Sequence, residues 1–332
     1  MDTSRPFGLS LADERLADEL RTGLDAVEVL LRETVKSEYP FVTEASRHLV
    51  DAGGKRFRPL LVLLASQYGD GASPGVVPSA VVVELTHLAT LYHDDVMDEA
   101  AMRRGAPSAN ARWDNTVAIL TGDFLFARAS ELLADLGPEA VRIQARTFER
   151  LCTGQIRETV GPQQGEDPVD HYLSVVADKT GSLIATSGQF GAMLAGASDD
   201  VVELLTRFGE RIGVAFQLSD DILDVASDSG ESGKTPGTDL REGVATLPVL
   251  HVRRSTDPSD KALRSLLDGE LDDEALLAEA VSLLRAHPAM LAARADLQRY
   301  ADEAREVLGS LPEGAATDAL HLLCDMVVAR TS

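Results

Sequence analysis

The chain has 332 residues, 44% of them hydrophobic and 26% charged, with a formal net charge of −23 at pH 7. It is long enough to bury a large core, and its charge argues against nucleic acid or an anionic membrane surface as the main partner. Phosphorylated substrates stay open, provided that basic groups or metal ions gather locally.

The N-terminal stretch "MDTSRPFGLSLADERLADEL" is acidic and amphipathic, unlike a signal peptide. No run of about 18 apolar residues offers itself as a membrane span. The two cysteines, Cys152 and Cys324, cannot build a disulfide framework or a zinc site alone. The expectation is a soluble cytoplasmic protein with no stable membrane insertion.

Apolar residues at three- and four-residue steps predict a first helix over 10–35, with Ser10 as its N-cap. "GGKRFRP" (53–59) reads as a loop leading into the apolar "LLVLLASQYG", and "GASPGVVPS" (71–79) as another loop. A helix over 78–98 follows. Further helices are expected at 115–135, 138–160, 168–195, 199–227, 244–254, 259–267, 272–286, 288–308 and 315–330. The segment 227–243, "SDSGESGKTPGTDLREG", is the longest stretch without expected structure, and loops of that length are often functional. Strand alternation is nearly absent, and no repeat or linker divides the chain. A single all-α domain over 1–332, a large antiparallel helical bundle around a deep central cavity, is the expected fold.

The stretch "LYHDDVMDEAAMRRG" (91–105) crowds acidic residues at the end of an apolar helix roughly 30 Å long. Asp94 and Asp98 stand at i,i+4 on one face, with His87 and Thr90 below them, while Asp95 lies about 100° round the axis. Paired carboxylates suit Mg²⁺, which keeps several waters and is completed by substrate phosphates. The plain alternative is a solvated acidic helix end. "DDVVE" at 199–203 illustrates it, as an acidic pair that caps a helix start.

"FQLSDDILDVAS" (216–227) repeats the pattern. Gln217, Asp220, Asp221 and Asp224 again share one helical face, preceded by Gly209 and Gly213, which suit close helix packing. Facing one another across a cavity, two such motifs would hold a Mg²⁺ cluster around a diphosphate. Only five of the 31 basic residues are lysines, and Lys55, Lys179 and Lys234 all fall in distinctive motifs.

With "GGKRFRP" (53–59), "LTHLATLYHDDVMDEAAMRRG" (85–105), "TGDFLFARA" (121–129), "KTGSL" (179–183), "FQLSDDILD" (216–224) and "GKTPGTDLREG" (233–243) in this order, the chain resembles the trans-isoprenyl diphosphate synthases, the polyprenyl synthetase family, over nearly its whole length. The resemblance implies a Mg²⁺-dependent enzyme, with a three-ion cluster, that joins an allylic diphosphate to isopentenyl diphosphate. It implies Asp94, Asp98 and Asp220 as metal ligands, Asp224 as a weaker one, and Asp95 and Asp221 as residues orienting waters or neighbours. Lys55, Arg58, His87 and Arg104 would bind isopentenyl diphosphate. Arg103, Lys179 and Lys234 would hold the allylic diphosphate, and Lys179, Thr180 and Gln217 would stand near the reacting carbon.

Ala89 and Thr90 would line the growing chain. Their small size resembles enzymes making geranylgeranyl or longer diphosphates, such as the polyprenyl enzymes that supply quinone side chains. A homodimer is also implied. One departure stands out, because many relatives carry a lysine where this chain has Val244. The competing readings are a class I terpenoid cyclase or head-to-head synthase, which "DDILD" and "GGKRFRP" disfavour, and a non-catalytic partner subunit, which two intact acidic motifs disfavour.

Overall fold

A computed structural model describes residues 11–226 and 236–331, and among these helix dominates. In chain order the helices are α1 (Glu14–Thr34), α2 (Pro40–Asp51), α3 (Phe57–Ser66) and α4 (Val76–Met97). A two-stranded antiparallel ribbon, β1 (Met102–Arg103) and β2 (Ala106–Pro107), pairs Met102 with Pro107 and Arg103 with Ala106. There follow α5 (Ala109–Arg112), α6 (Asn115–Leu136), α7 (Pro138–Val160) and α8 (Pro168–Val176). A π turn (Ala177–Gly181) leads into α9 (Ser182–Leu194), then α10 (Asp199–Ala226) and the one-turn α11 (Thr238–Arg241). The last helices are α12 (Leu247–Arg254), α13 (Lys261–Leu267), α14 (Glu274–Ala286), α15 (Pro288–Leu308) and α16 (Ala315–Ala329).

The chain forms two compact units. The first comprises residues up to Glu149 with Leu183–Gly209 and Val307–Leu322. Its centre is α4, packed against α1, α3, α5 and α6. From Ser79 through Thr86 every α4 residue is buried, and each buried leucine or valine there contributes about 1.5–3 kcal/mol. The hydroxyl of Tyr92, itself fully buried, donates to the Ala45 carbonyl at 2.6 Å and accepts the Leu49 N–H at 3.2 Å, which ties α2 to α4. Gly122 lets α6 approach α4, since a Cβ there would lie 2.3 Å from His93 Nε2. Gly209 serves the same purpose against α9, where a Cβ would meet Ala185 Cα at 2.7 Å.

The second unit comprises Arg150–Ser182, Glu210–Glu306 and the residues from Leu323. Asp167 caps α8 by accepting the N–H groups of Val169 and Asp170, and α12 packs on α8. Arg150 braces the π turn, donating to Asp178 at 2.9 Å and to Glu210 at 2.6 Å. Cys152 and Cys324 are both free. No single helix among the described residues is long and apolar enough to cross a membrane; only α14 and α15 together pass that test, and they are bent by 64°.

The structure departs from the sequence expectations at several points. α1 starts at Glu14 behind Asp13, whose carboxylate accepts the Leu16 N–H at 2.8 Å, while Ser10 lies outside the described residues. α2 was not expected, because its buried side is a narrow stripe of Ala45, Ser46, Leu49 and Val50. α3 begins inside the expected loop, at Phe57, once Arg56 has turned the chain with a φ of 52°. The helix expected over 168–195 is interrupted by the π turn around Lys179–Gly181. Within 227–243 the described part holds α11. α10 does begin at Asp199, with its acidic pair in the favourable first turn.

Candidate active site

Burial runs unevenly along α4. His87, Thr90, Leu91 and Asp94 are partly open to solvent and Asp98 is exposed, whereas Leu88, Ala89 and Tyr92 between them are buried. At helical spacing the open positions form one face, ending in the two carboxylates. Thr90 therefore stands on this face, its hydroxyl donating to the His87 carbonyl at 2.8 Å. Ala89 points inward, and its carbonyl packs at Gly122 of α6.

The lower end of that face is strongly basic. Burial, and then Arg58, Arg104, Arg103 and Arg56 in that order, hold the His87 imidazole well below the usual histidine range. It is a neutral ring inside a crowd of guanidinium groups. Arg104 leaves the ribbon with a φ of 53° and reaches back to donate to the Leu49 carbonyl at 3.1 Å and to the Gly53 carbonyl. A Cβ on Gly54 would meet Arg104 Nη1 at 2.9 Å, so glycine lets this loop lie against the guanidinium. Arg58 sits in the first turn of α3, and Lys55 is exposed on the preceding loop. The structure thus brings Arg58, His87, Arg103 and Arg104 into one electrostatic neighbourhood.

Sequence reasoning missed the frame behind this pocket. Arg56, with a side chain only 7% exposed, is held by Glu28 at 2.5 Å and by Glu84 at 2.7 Å, and Glu84 also lies 4.0 Å from Arg104. A signal did exist, since Glu84 stands alone in the buried run Val81–Thr86. A carboxylate there needs a cationic partner.

Asp95 is fully buried and accepts from Arg103 Nε at 2.5 Å, while its Oδ2 has no hydrogen-bond partner among the described residues. Burial raises its carboxyl, against the pull of Arg103. Asp95 therefore anchors the ribbon that carries Arg103.

In the second unit, Thr180, Gln217 and Asp221 are joined. The Thr180 hydroxyl donates to Gln217 Oε1 at 3.0 Å, and Gln217 Nε2 donates to Asp221 Oδ1 at 2.9 Å. Tyr172 donates to the other oxygen of Asp221. Burial pushes the Asp221 carboxyl up to about 6, opposed by those two hydrogen bonds and assisted by Asp220 and Asp224.

Asp220 accepts from Arg330 at 2.5 Å. Asp224 accepts the backbone N–H groups of Thr238 and Asp239 at 3.2 and 3.1 Å, so it also secures the start of α11. Lys179 pairs with Glu158 at 2.5 Å. Val244 is 39% exposed, and nearby Arg241 pairs with Glu274 at 2.6 Å. Lys234 lies outside the described residues.

The donor chemistry fits Mg²⁺. Asp94 and Asp98 close α4, and Asp220 and Asp224 fall in the last turns of α10. Asp94, Asp98 and Asp224 thus meet the negative end of a helix dipole, an unfavourable placement by about 0.3–1 kcal/mol that a cation reverses. Among the described residues no three His, Cys, Asp or Glu side chains group closely enough to hold a metal by themselves. Half-sites of hard oxygen donors, completed by water and phosphate, are what Mg²⁺ accepts.

The chain is similar to known proteins over nearly its whole length. A polyprenyl synthetase family model matches residues 39–284. The chain is 51% identical over 324 residues to nonaprenyl diphosphate synthase of Mycobacterium tuberculosis, covering 97% of each protein. It is 40% identical over 305 residues to heptaprenyl diphosphate synthase component 2 of Geobacillus stearothermophilus, covering 91% of this chain and 94% of that one. Among solved structures it resembles geranylgeranyl pyrophosphate synthase from Corynebacterium glutamicum, complexed with calcium and isoprenyl diphosphate. That match has a TM-score of 0.87 and 45% identity, over 97% of this chain and 99% of the other.

Proposed function

The chain belongs to the polyprenyl synthetase family, and we propose on that premise that it is a Mg²⁺-dependent trans-prenyltransferase of the cytoplasm. It extends an allylic diphosphate head-to-tail with isopentenyl diphosphate, making all-trans products of C20 or longer. The observation that carries this reading is the open face of α4. It joins a carboxylate pair at the helix end to an arginine-ringed His87, with fully buried turns beneath.

Arg58, His87 and Arg104, with Lys55 at the loop, bind the diphosphate of isopentenyl diphosphate. Arginine forks match phosphate oxygens, and neutral His87 adds a hydrogen bond without adding repulsion. Arg103, Lys179 and Lys234 hold the allylic diphosphate. Asp94 and Asp98 in the first unit, and Asp220 and Asp224 in the second, would hold Mg²⁺, whose charge would neutralise the departing diphosphate. The Thr180 hydroxyl oxygen and the Gln217 amide oxygen face the allylic cation with their negative ends. The allylic carbon–oxygen bond breaks with its electron pair leaving on the diphosphate, and the double bond of isopentenyl diphosphate attacks the allylic cation to form the new carbon–carbon bond. The released diphosphate takes a proton from the carbon beside the new cation, which restores a double bond. Apolar surroundings keep water from quenching the cation, which is why the acidic groups sit at the ends of buried helices.

A second copy of the chain covers the exposed Ile119 and Leu120 of α6 and Val141 and Phe148 of α7, giving a homodimer.

The growing chain runs down the open face past Thr90, backed by Ala89. Thr90→Phe therefore fills its path and is expected to shorten the main product by at least one isoprene unit. An unchanged product distribution would count against this geometry. The reading as a whole is tested by product mass, using isopentenyl diphosphate and Mg²⁺ with dimethylallyl, geranyl, farnesyl or geranylgeranyl diphosphate. A Mg²⁺-dependent ladder ending at one length is the expected result. Folded protein that elongates none of these primers would overturn the reading.

A further inference from the structure

The hydrogen-bonded chain in the second unit ends on a residue that no sequence motif singled out. From the Thr180 hydroxyl it passes through Oε1 and Nε2 of Gln217 to Oδ1 of Asp221, whose Oδ2 accepts from the Tyr172 hydroxyl. We propose that Tyr172 is a positioning residue for prenyl transfer, acting through Asp221 to fix which end of the Gln217 amide faces the reacting carbon. The proposal rests on the reading of Thr180 and Gln217 as the groups beside that carbon.

An amide's two ends have nearly the same shape and opposite polarity. Its oxygen stabilises a developing allylic cation, whereas its NH₂ group opposes one. The orientation of Gln217 is thus an electrostatic decision taken elsewhere. Nε2 can only donate, so an acceptor held at Asp221 sends Oε1 toward Thr180. Asp221 holds that role only while its own carboxylate cannot pivot. Its side chain is nearly buried, at 5% exposure, and the Tyr172 hydroxyl grips the oxygen that Gln217 leaves open.

The helix geometry closes the circuit. Gln217 and Asp221 are i,i+4 on α10, one above the other on a single face. Tyr172 and Thr180 are the two anchors on the opposing segment. In an unbroken α-helix, positions eight apart differ by about 80° round the axis. A π turn takes up one extra residue and brings them to within about 20°. The π turn at Ala177–Gly181 thus puts Tyr172 and Thr180 on the same side, so one rigid segment grips both ends of the Gln217–Asp221 pair.

The test is a double-mutant cycle on the full-length enzyme, with Y172F, Q217A and Y172F/Q217A assayed at saturating Mg²⁺. Y172F keeps the ring and removes only the hydroxyl. It is expected to lower kcat about 10- to 30-fold, with both KM values within about twofold of wild type, and Q217A to lower kcat about 100-fold. In the Q217A background, Y172F should cost less than about twofold, because its route of action is gone.

A packing role would instead multiply the two losses, and that result, or full activity in Y172F, overturns the proposal. If Q217A itself is fully active, the catalytic reading of Gln217 fails, whatever Y172F does. Denaturant midpoints report whether each variant folds. Should Y172F not fold, Asp221→Asn enters the same cycle with the same expected coupling to Gln217, and additive losses there overturn the proposal.

Discussion

Asp98→Ala is expected to lower turnover by about 100- to 1,000-fold while leaving the fold intact. Asp98 is exposed and caps α4 through its backbone N–H, which donates to the Asp94 carbonyl at 2.8 Å. Removing its side chain breaks no packing, so stability should stay within about 0.5 kcal/mol. Deleting a negative charge at a helix C-terminus is even slightly favourable. A large kinetic loss can therefore come only from chemistry that the carboxylate supports. Each tenfold loss corresponds to about 1.4 kcal/mol of transition-state stabilisation, so the range matches removal of one ligand to a charge-neutralising cation. Steady-state kinetics against Mg²⁺ concentration check this, and the variant should require more Mg²⁺ for half-maximal rate. Turnover within threefold of wild type would remove Asp98 from the metal site.

Glu84→Ala should do the reverse, harming the fold more than the chemistry. Its side chain is 3% exposed and neutralises Arg56 at 2.7 Å, with Arg104 at 4.0 Å. Breaking one partner out of a buried ion pair costs about 3–5 kcal/mol, because the remaining charge stays buried. Arg56 keeps Glu28 at 2.5 Å, which places the expected loss near 3 kcal/mol. Glu84→Gln retains an acceptor for Arg56 and should lose about half as much. Urea unfolding of the three proteins gives the ranking. The same substitutions remove a negative charge that competes for Arg104, so KM for isopentenyl diphosphate should fall. A rise in KM would mean that Glu84 aims Arg104 rather than merely balancing its charge.

The two predictions differ in how far they could be read from the residues alone. Asp94 and Asp98 share a face because four positions make nearly one helical turn, a relation set by local geometry. The same holds for Gln217 and Asp221. Glu84 could be flagged as a carboxylate in an apolar run, yet its partner lies 28 positions away, and nothing in local spacing names it. Arg56 sits inside "GGKRFRP" beside Lys55 and Arg58, but its φ of 52° turns it inward to serve the frame. Lys179 pairs with Glu158, 21 positions earlier, a partner that local spacing does not name.

By itself the sequence determined the all-α class, nearly every long helix, the carboxylate faces and the family, because helical periodicity and motif order are local properties of the chain. Tertiary structure alone decided that four arginines crowd His87, that Glu28 and Glu84 hold Arg56, and that Tyr172 of α8 reaches Asp221 of α10. Those contacts join residues far apart in sequence. They depend on how neighbouring helices pack, and small changes in that packing rotate a side chain from one partner to another.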